Sequence, residues 1–137
     1  MTDTRIIDFI IELKKKCSIK EDEIQTEYSL SQAEYRSIVC MEPDERITCS
    51  DFSQRMELSP SRGSRIIENM IDRGFINYDN VPGDRRAHEI SLTVKGKNIR
   101  KKVEQKKDEC EETIQKQFSS QQVGTLKETL AMLLKAL

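Results

Sequence analysis

The segment from Leu58 to Leu92 constrains this chain most, because both ends and both faces of a helix are written into it and a hairpin follows at once. Ser59 is a favourable N-cap, and Pro60 suits the first helical position, where a missing N–H costs nothing. Gly74 supplies a C-terminal stop, so the spacing predicts a helix from Pro60 to about Arg73. At about 100° per residue, Ser61, Arg62, Arg65 and Asn69 share one face. Gly63, Ile67, Met70 and Ile71 share the opposite face, with Ile66 at the border. Phe75 to Asp79 then alternates partly, and Asn80-Val81-Pro82-Gly83-Asp84 is turn chemistry. Arg86 to Leu92 alternates again, with His88, Ile90 and Leu92 on one face, so the pair predicts a β-hairpin.

Other helices frame this segment. Ile6, Ile10, Leu13 and Cys17 recur at helical spacing, and Ile7, Phe9 and Ile11 add apolar surface on other faces. Ser31-Gln32-Ala33-Glu34 is a capping box opening a helix with Tyr35, Ile38 and Val39 that should stop near Pro43. Thr48-Cys49-Ser50-Asp51 opens a short helix with Phe52 and Met56 inward. Thr93 caps a long helix carrying Ile99, Val103, Cys110, Ile114 and Phe118 among many Lys and Glu. After Ser119-Ser120, Val123, Leu126, Leu130, Leu133 and Leu137 fall at spacings of three and four, as in a coiled-coil seam. The predicted order is four helices, a hairpin and two helices, with no internal repeat.

The chain has 137 residues, of which 36% are hydrophobic and 34% charged. A single lobe of that make-up has a modest core, and greasy terminal helices point to a second copy as the missing cover. The net charge of −1 excludes bulk attraction to nucleic acid or to an anionic membrane, so any polyanion must be met by locally placed arginines. Asp8 and Glu12 interrupt the N-terminal apolar stretch, which is therefore neither a signal h-region nor a membrane span. The expectation is a cytoplasmic protein with no membrane partner and with reduced thiols at Cys17, Cys40, Cys49 and Cys110. None of these forms a C-x-x-C pair, and His88 is the only histidine, so no metal or other cofactor is expected, although Cys with carboxylate ligation of zinc stays open. With no phosphate loop, Cys/His dyad or nucleophile motif, nothing suggests an enzyme.

Two short helices, a tight turn and then a hairpin make the layout of a winged helix-turn-helix, whose second helix enters a DNA major groove. The stretch Ser59 to Ile67 contains no acid in a chain with 24 Asp and Glu. Arg62 and Arg65 suit guanine edges, and Asn69 suits adenine. Ser59, Ser61 and the free N–H groups of the first turn suit a phosphate. At the hairpin tip Arg85 and Arg86 suit a neighbouring minor groove or backbone, with Asp84 orienting a guanidinium by an ion pair. Arginines on a solvated face need no ligand at all, and the layout also serves pure protein-binding modules. The joint occurrence of an acid-free basic helix and a basic hairpin tip favours DNA.

The same residues resemble the MarR-type (multiple antibiotic resistance regulator) family over the whole chain, in order. Leu30-Ser31-Gln32-Ala33-Glu34-Tyr35 is similar to that family's entry to its second helix, and Leu58-Ser59-Pro60-Ser61 through Phe75-Ile76 to its recognition helix and exit. Asp84-Arg85-Arg86-Ala87 is similar to its wing motif, and Leu92-Thr93-Val94-Lys95-Gly96 to the start of its long helix. Asn77-Tyr78 departs from the basic residue usual after the exit. The resemblance implies one mainly α domain over 1–137 with a small β-hairpin wing. Residues 30–93 would form the DNA-binding lobe, and 1–29 with 94–137 a helical homodimer base. It implies a transcription regulator on a pseudo-palindromic double-stranded operator, a repressor released by a small ligand or by thiol oxidation. Ser61, Arg62 and Arg65 would take the groove positions, Arg86 the wing-tip role and Asp84 its support.

Cys17 admits two readings. It is faintly similar to the peroxide-sensing branch, with Lys14, Lys15 and Lys16 supplying positive field and Tyr28 and Tyr35 downstream; alternatively it fills an apolar helix position. Cys40 and Cys110 read as core, and His88 as a strand residue lining the lobe. The competing function is a protein-binding module without DNA, for example an antagonist of another regulator. Between Arg46 and Ile90 seven Arg oppose seven Asp and Glu, which implies modest, salt-dependent affinity.

Overall fold

A computed structural model describes residues 3–137, and Met1 and Thr2 of the N-terminal reading lie outside the described residues. The elements are α1 (Ile6–Tyr28), α2 (Gln32–Val39), β1 (Ile47–Thr48), α3 (Cys49–Arg55), α4 (Pro60–Asp72), β2 (Ile76–Val81), β3 (Asp84–Leu92), α5 (Val94–Gln117) and α6 (Ser120–Ala136). Six helices and a small antiparallel sheet match the predicted class and order. Contacts divide the chain into a unit ending at Val103 and a second unit, Glu104–Leu137. Among the described residues no helix is long and apolar enough to cross a membrane.

Local chemistry sets the helix starts. Ser31 and Glu34 close their capping box reciprocally, at 3.1 and 2.8 Å. Thr48 accepts the Asp51 N–H at 3.1 Å, Ser59 that of Arg62 at 3.3 Å and Ser119 that of Gln122 at 3.2 Å. Thr93 accepts the Gly96 N–H at 3.1 Å. Each cap satisfies an otherwise orphaned donor of a first turn. Gly74 stops α4 at φ 76°, where its N–H and that of Phe75 return to Ile71 and Met70 carbonyls at 2.9 Å. In α4 Gly63, Ile67 and Met70 are buried as the helical spacing predicts, whereas Ile71 on the last turn remains 36% exposed.

The sheet has one strand more than the hairpin reading. β3 pairs with β2 on one side and with β1 on the other, Ile47 lying opposite Ile90. A two-residue strand carries no periodicity of its own and exists because the far edge of β3 offers it partners. Helix α2 ends at Val39 rather than near Pro43, and Cys40 is its C-cap. The residues beyond it are held from elsewhere: Met41 is fully buried, its carbonyl takes the Arg100 Nε–H at 3.2 Å, and Lys97 pairs with Asp44 at 3.0 Å.

Ile24, Ile38, Met41, Ile47, Phe52, Met70, Phe75, Ile90, Leu92, Ile99 and Val103 are among the buried residues that form one core. Of α1, only Ile24 is buried; Ile6, Phe9, Leu13 and Ile19 are exposed, and Ile10 is half-buried. In the second unit Ile114, Phe118, Leu126 and Leu130 are also exposed.

One close approach fixes the junction of β2 with α5. A Cβ on Gly96 would run into the backbone carbonyl oxygen of Phe75, which also takes the Thr93 N–H at 3.0 Å. Thr93 Oγ1 donates to the Gly74 carbonyl at 2.6 Å beside it. Backbone pinned at both ends has little room to retreat, so Gly96→Ala should cost about 1–3 kcal/mol of stability. Chemical denaturation checks this, and a parental midpoint would contradict the close-approach account.

Candidate nucleic-acid interface

Helix α4 follows α3 through the short turn at Met56–Ser59 and packs against both α3 and β2. Its approach to α3 is close, since a Cβ on Gly63 would strike the Ser53 side chain. The buried face anchors the rod, and Ser61, Arg62, Ser64 and Arg65 stand exposed on the remaining surface. The first turn has no acid. Ser59 Oγ lies 3.3 Å from Ser61 Oγ, so the two hydroxyls sit together at the N-terminus, where the helix dipole favours an anion.

The wing is the β2–β3 hairpin, with Gly83 in its turn at φ 84° and a register irregularity at Asn80/Val81. Arg85 and Arg86 are exposed at the tip. Asp84 accepts the backbone N–H of Arg86 at 3.0 Å. It therefore shapes the turn instead of holding a guanidinium, which differs from the expected ion pair: a carboxylate two residues back reaches the main chain first. His88 stacks on Tyr78 with ring centroids 4.6 Å apart, and its Nδ1 is buried without a hydrogen-bond partner among the described residues. Asp79 lies opposite Glu89 across the stem, a like-charge pair that weakens the local positive field.

What separates the arginines is commitment. Arg55 is paired with Glu45 and donates to the Cys40 carbonyl at 2.9 Å. Arg73 pairs with Glu34 at 2.6 Å, and Arg100 is buried against Met41 and Glu42. Arg62, Arg65, Arg85 and Arg86 have no side-chain bond or ion pair among the described residues, so their donors are free for another molecule. Arg46, just before β1, is equally exposed and uncommitted. It lies outside any helix, so periodicity gives it no signal.

Asn69 is the exception on the outward face. Its Nδ2 donates to Glu34 Oε2 at 3.2 Å, and Arg73 donates to the same oxygen. The structure thus groups Asn69 with the α2 N-terminus and not with the free guanidiniums of α4.

A cleft of about 320 Å³ has Glu21, Tyr35, Arg36, Cys40, Arg55 and Met56 in its lining. Burial pushes the Cys40 thiol up to about 11, and burial also raises Cys49. Neither presents much thiolate at neutral pH. Cys40 packs against the core, as expected, and Cys110 is half-buried. Cys17 is exposed. No group of three or more His, Cys, Asp or Glu converges on a metal-sized site among the described residues.

No family model matches the sequence, and no curated protein matches it. Solved structures do match. FabT of Streptococcus pneumoniae in complex with DNA superposes with a TM-score of 0.84 at 19% identity, over 96% of this chain and 94% of that one. The fold is that of the MarR-type regulators. A mutant of MarR from E. coli matches at TM-score 0.69 and 17% identity, over 96% and 97% of the two chains. NadR in complex with 4-hydroxyphenylacetate matches at 0.67 and 16%, over 97% and 95%.

Proposed function

We propose that this chain is a sequence-specific, double-stranded DNA-binding transcription regulator that works as a homodimer. The observation that carries the reading is the set of uncommitted arginines on α4 and the wing tip, in a lobe whose other arginines, Arg46 apart, are tied down. Arg62 and Arg65 enter the major groove, the Ser59–Ser61 end of α4 takes a phosphate, and Arg85 and Arg86 reach the flanking minor groove. Exposed apolar residues on α1 and in the second unit supply the surface for a second copy. Two-fold symmetry then requires a pseudo-palindromic operator with half-sites about one helical turn apart. The similarity to FabT in complex with DNA supports this use of the fold.

Release by a small ligand fits the cleft lined by Tyr35, Val39, Cys40 and Met56, whose apolar side chains suit a small amphipathic molecule. The similarity to NadR in complex with 4-hydroxyphenylacetate supports that class. Release by thiol oxidation falls to the exposed Cys17, because burial keeps Cys40 and Cys49 protonated.

Arg65→Ala and Arg86→Ala should each weaken duplex binding by about 1–3 kcal/mol, Arg65→Ala also relaxing the preference at one base pair. Sites selected from random duplexes, followed by titration of both variants, test this. Unchanged affinity for both would remove DNA from the reading.

A further inference from the structure

Two helix ends meet at one carboxylate, and a third is tied to it through an arginine. Glu34 is 5% exposed. Its Oε1 takes the Ser31 N–H at the start of α2, at 2.8 Å. Its Oε2 takes Asn69 Nδ2 and Arg73 Nη1 from the last turns of α4, at 3.2 and 2.6 Å. The same Arg73 Nη1 donates to the Ser29 carbonyl at 2.9 Å, where α1 ends in a left-handed residue with φ 53°. We propose that Glu34 is a positioning residue for the DNA-reading helix, and that Asn69 acts through Glu34 and not on a base.

Asn69 and Arg73 are four residues apart and lie one above the other on α4. Two donors on one stripe, closing on one oxygen, fix the helix about its own axis. Arg65 lies one turn further back on that stripe, and Arg62 close to it. Their direction into a groove is therefore set by where Glu34 holds the far end. A buried carboxylate surrenders such donors reluctantly, because an unpaired buried charge is costly. The sequence-based assignment of Asn69 to adenine is replaced by a strut, since its amide nitrogen is turned to α2.

This inference rests on the DNA-binding reading, and the test separates the two. The full-length protein, Asn69→Ala, Glu34→Gln, their double variant and Arg65→Ala are titrated with selected and scrambled duplexes over a range of salt, where circular dichroism shows each folded. Asn69→Ala should weaken every duplex about three- to tenfold with no change in preferred site. The loss should vanish in the Glu34→Gln background. Glu34→Gln should leave the salt slope unchanged, whereas Arg65→Ala lowers it by about one phosphate contact. A changed preference at one base pair in Asn69→Ala, or losses that add in the double variant, overturns the proposal while leaving DNA binding intact.

Amide hydrogen exchange of the free protein gives a readout that needs no duplex. Glu34→Gln should speed exchange at the ends of α1 and α4 together with the start of α2. Acceleration confined to α2 overturns the positioning role even if no variant binds DNA.

Discussion

Arg73→Ala should lower the stability of the lobe by about 2–4 kcal/mol, because it strips the strongest partner from a buried carboxylate. Removing one member of a buried pair leaves an uncompensated charge, at about 3–5 kcal/mol in general. Here the loss is moderated from two directions. The Ser31 N–H and Asn69 still reach Glu34, and Arg73 is itself 33% exposed, so water enters where it leaves. The substitution also removes the bond to the Ser29 carbonyl and the guanidinium 5.1 Å from the Phe75 ring centre. Arg73→Lys should recover only part of this, since an ammonium cannot reproduce the planar fork.

The same pair makes a pH signature. Burial alone would raise the Glu34 carboxyl, but the Ser31 backbone N–H, then Arg73, outweigh it and hold it below the ordinary 4.5. A carboxylate depressed in the folded state contributes stability that is complete above pH 4.5 and is lost as pH falls through the folded value. Glu45, held at about 2 chiefly by its hydrogen bond to Arg55, loses its contribution over the acidic side of that range. The parent protein should therefore weaken steadily on acidification, and Arg73→Ala should flatten the upper part of that decline. Urea midpoints at about pH 7 and about pH 3 measure both effects. A variant with the parent's midpoint at neutral pH would show that Glu34 needs no countercharge.

Ending the chain after Phe118 should abolish the proposed homodimer. The deleted helix carries the Val123, Leu126, Leu130, Leu133 and Leu137 stripe, and Leu126, Leu130 and Leu137 are 37%, 45% and 85% exposed in the protomer. Burying a fully exposed leucine is worth about 1.5–3 kcal/mol, and Leu126 and Leu130, already more than half covered, gain the corresponding fraction. A second copy meeting stripe with stripe would gain that burial on both sides. Sedimentation should show the full chain as a dimer and residues 1–118 as a monomer or as unfolded chain. Binding to a two-half-site operator should fall by about a hundredfold or more, because the second half-site no longer benefits from tethering. A shortened chain that still sediments as a dimer would move the interface off α6.

A balanced charge count between Arg46 and Ile90 hides a pattern that matters locally. Seven arginines between Arg46 and Ile90 are matched in number by acids, yet Arg55 and Arg73 spend their charge on Glu45 and Glu34. The remainder stand exposed and without a side-chain partner among the described residues. A count of charges sees neutrality, and only the pairings reveal which cations can meet a phosphate.

Helix starts, the α4 stop and the buried face of α4 were legible in the sequence because they are interactions across three or four residues: Ser31 with Glu34, Thr48 with Asp51, Ser59 with Arg62, Thr93 with Gly96. Such contacts are set by spacing alone, and the element order followed from them. Only the tertiary structure decided the third strand, the early end of α2, the hydrogen bond of Asn69 to Glu34 and the exposure of Arg46. Strand β1 depends on β3 some forty residues away, and Asn69 on Glu34 thirty-five positions back. An amide or guanidinium carries no mark in the sequence of whether a distant partner will claim it; folding brings the claimant, and exposure remains for the rest.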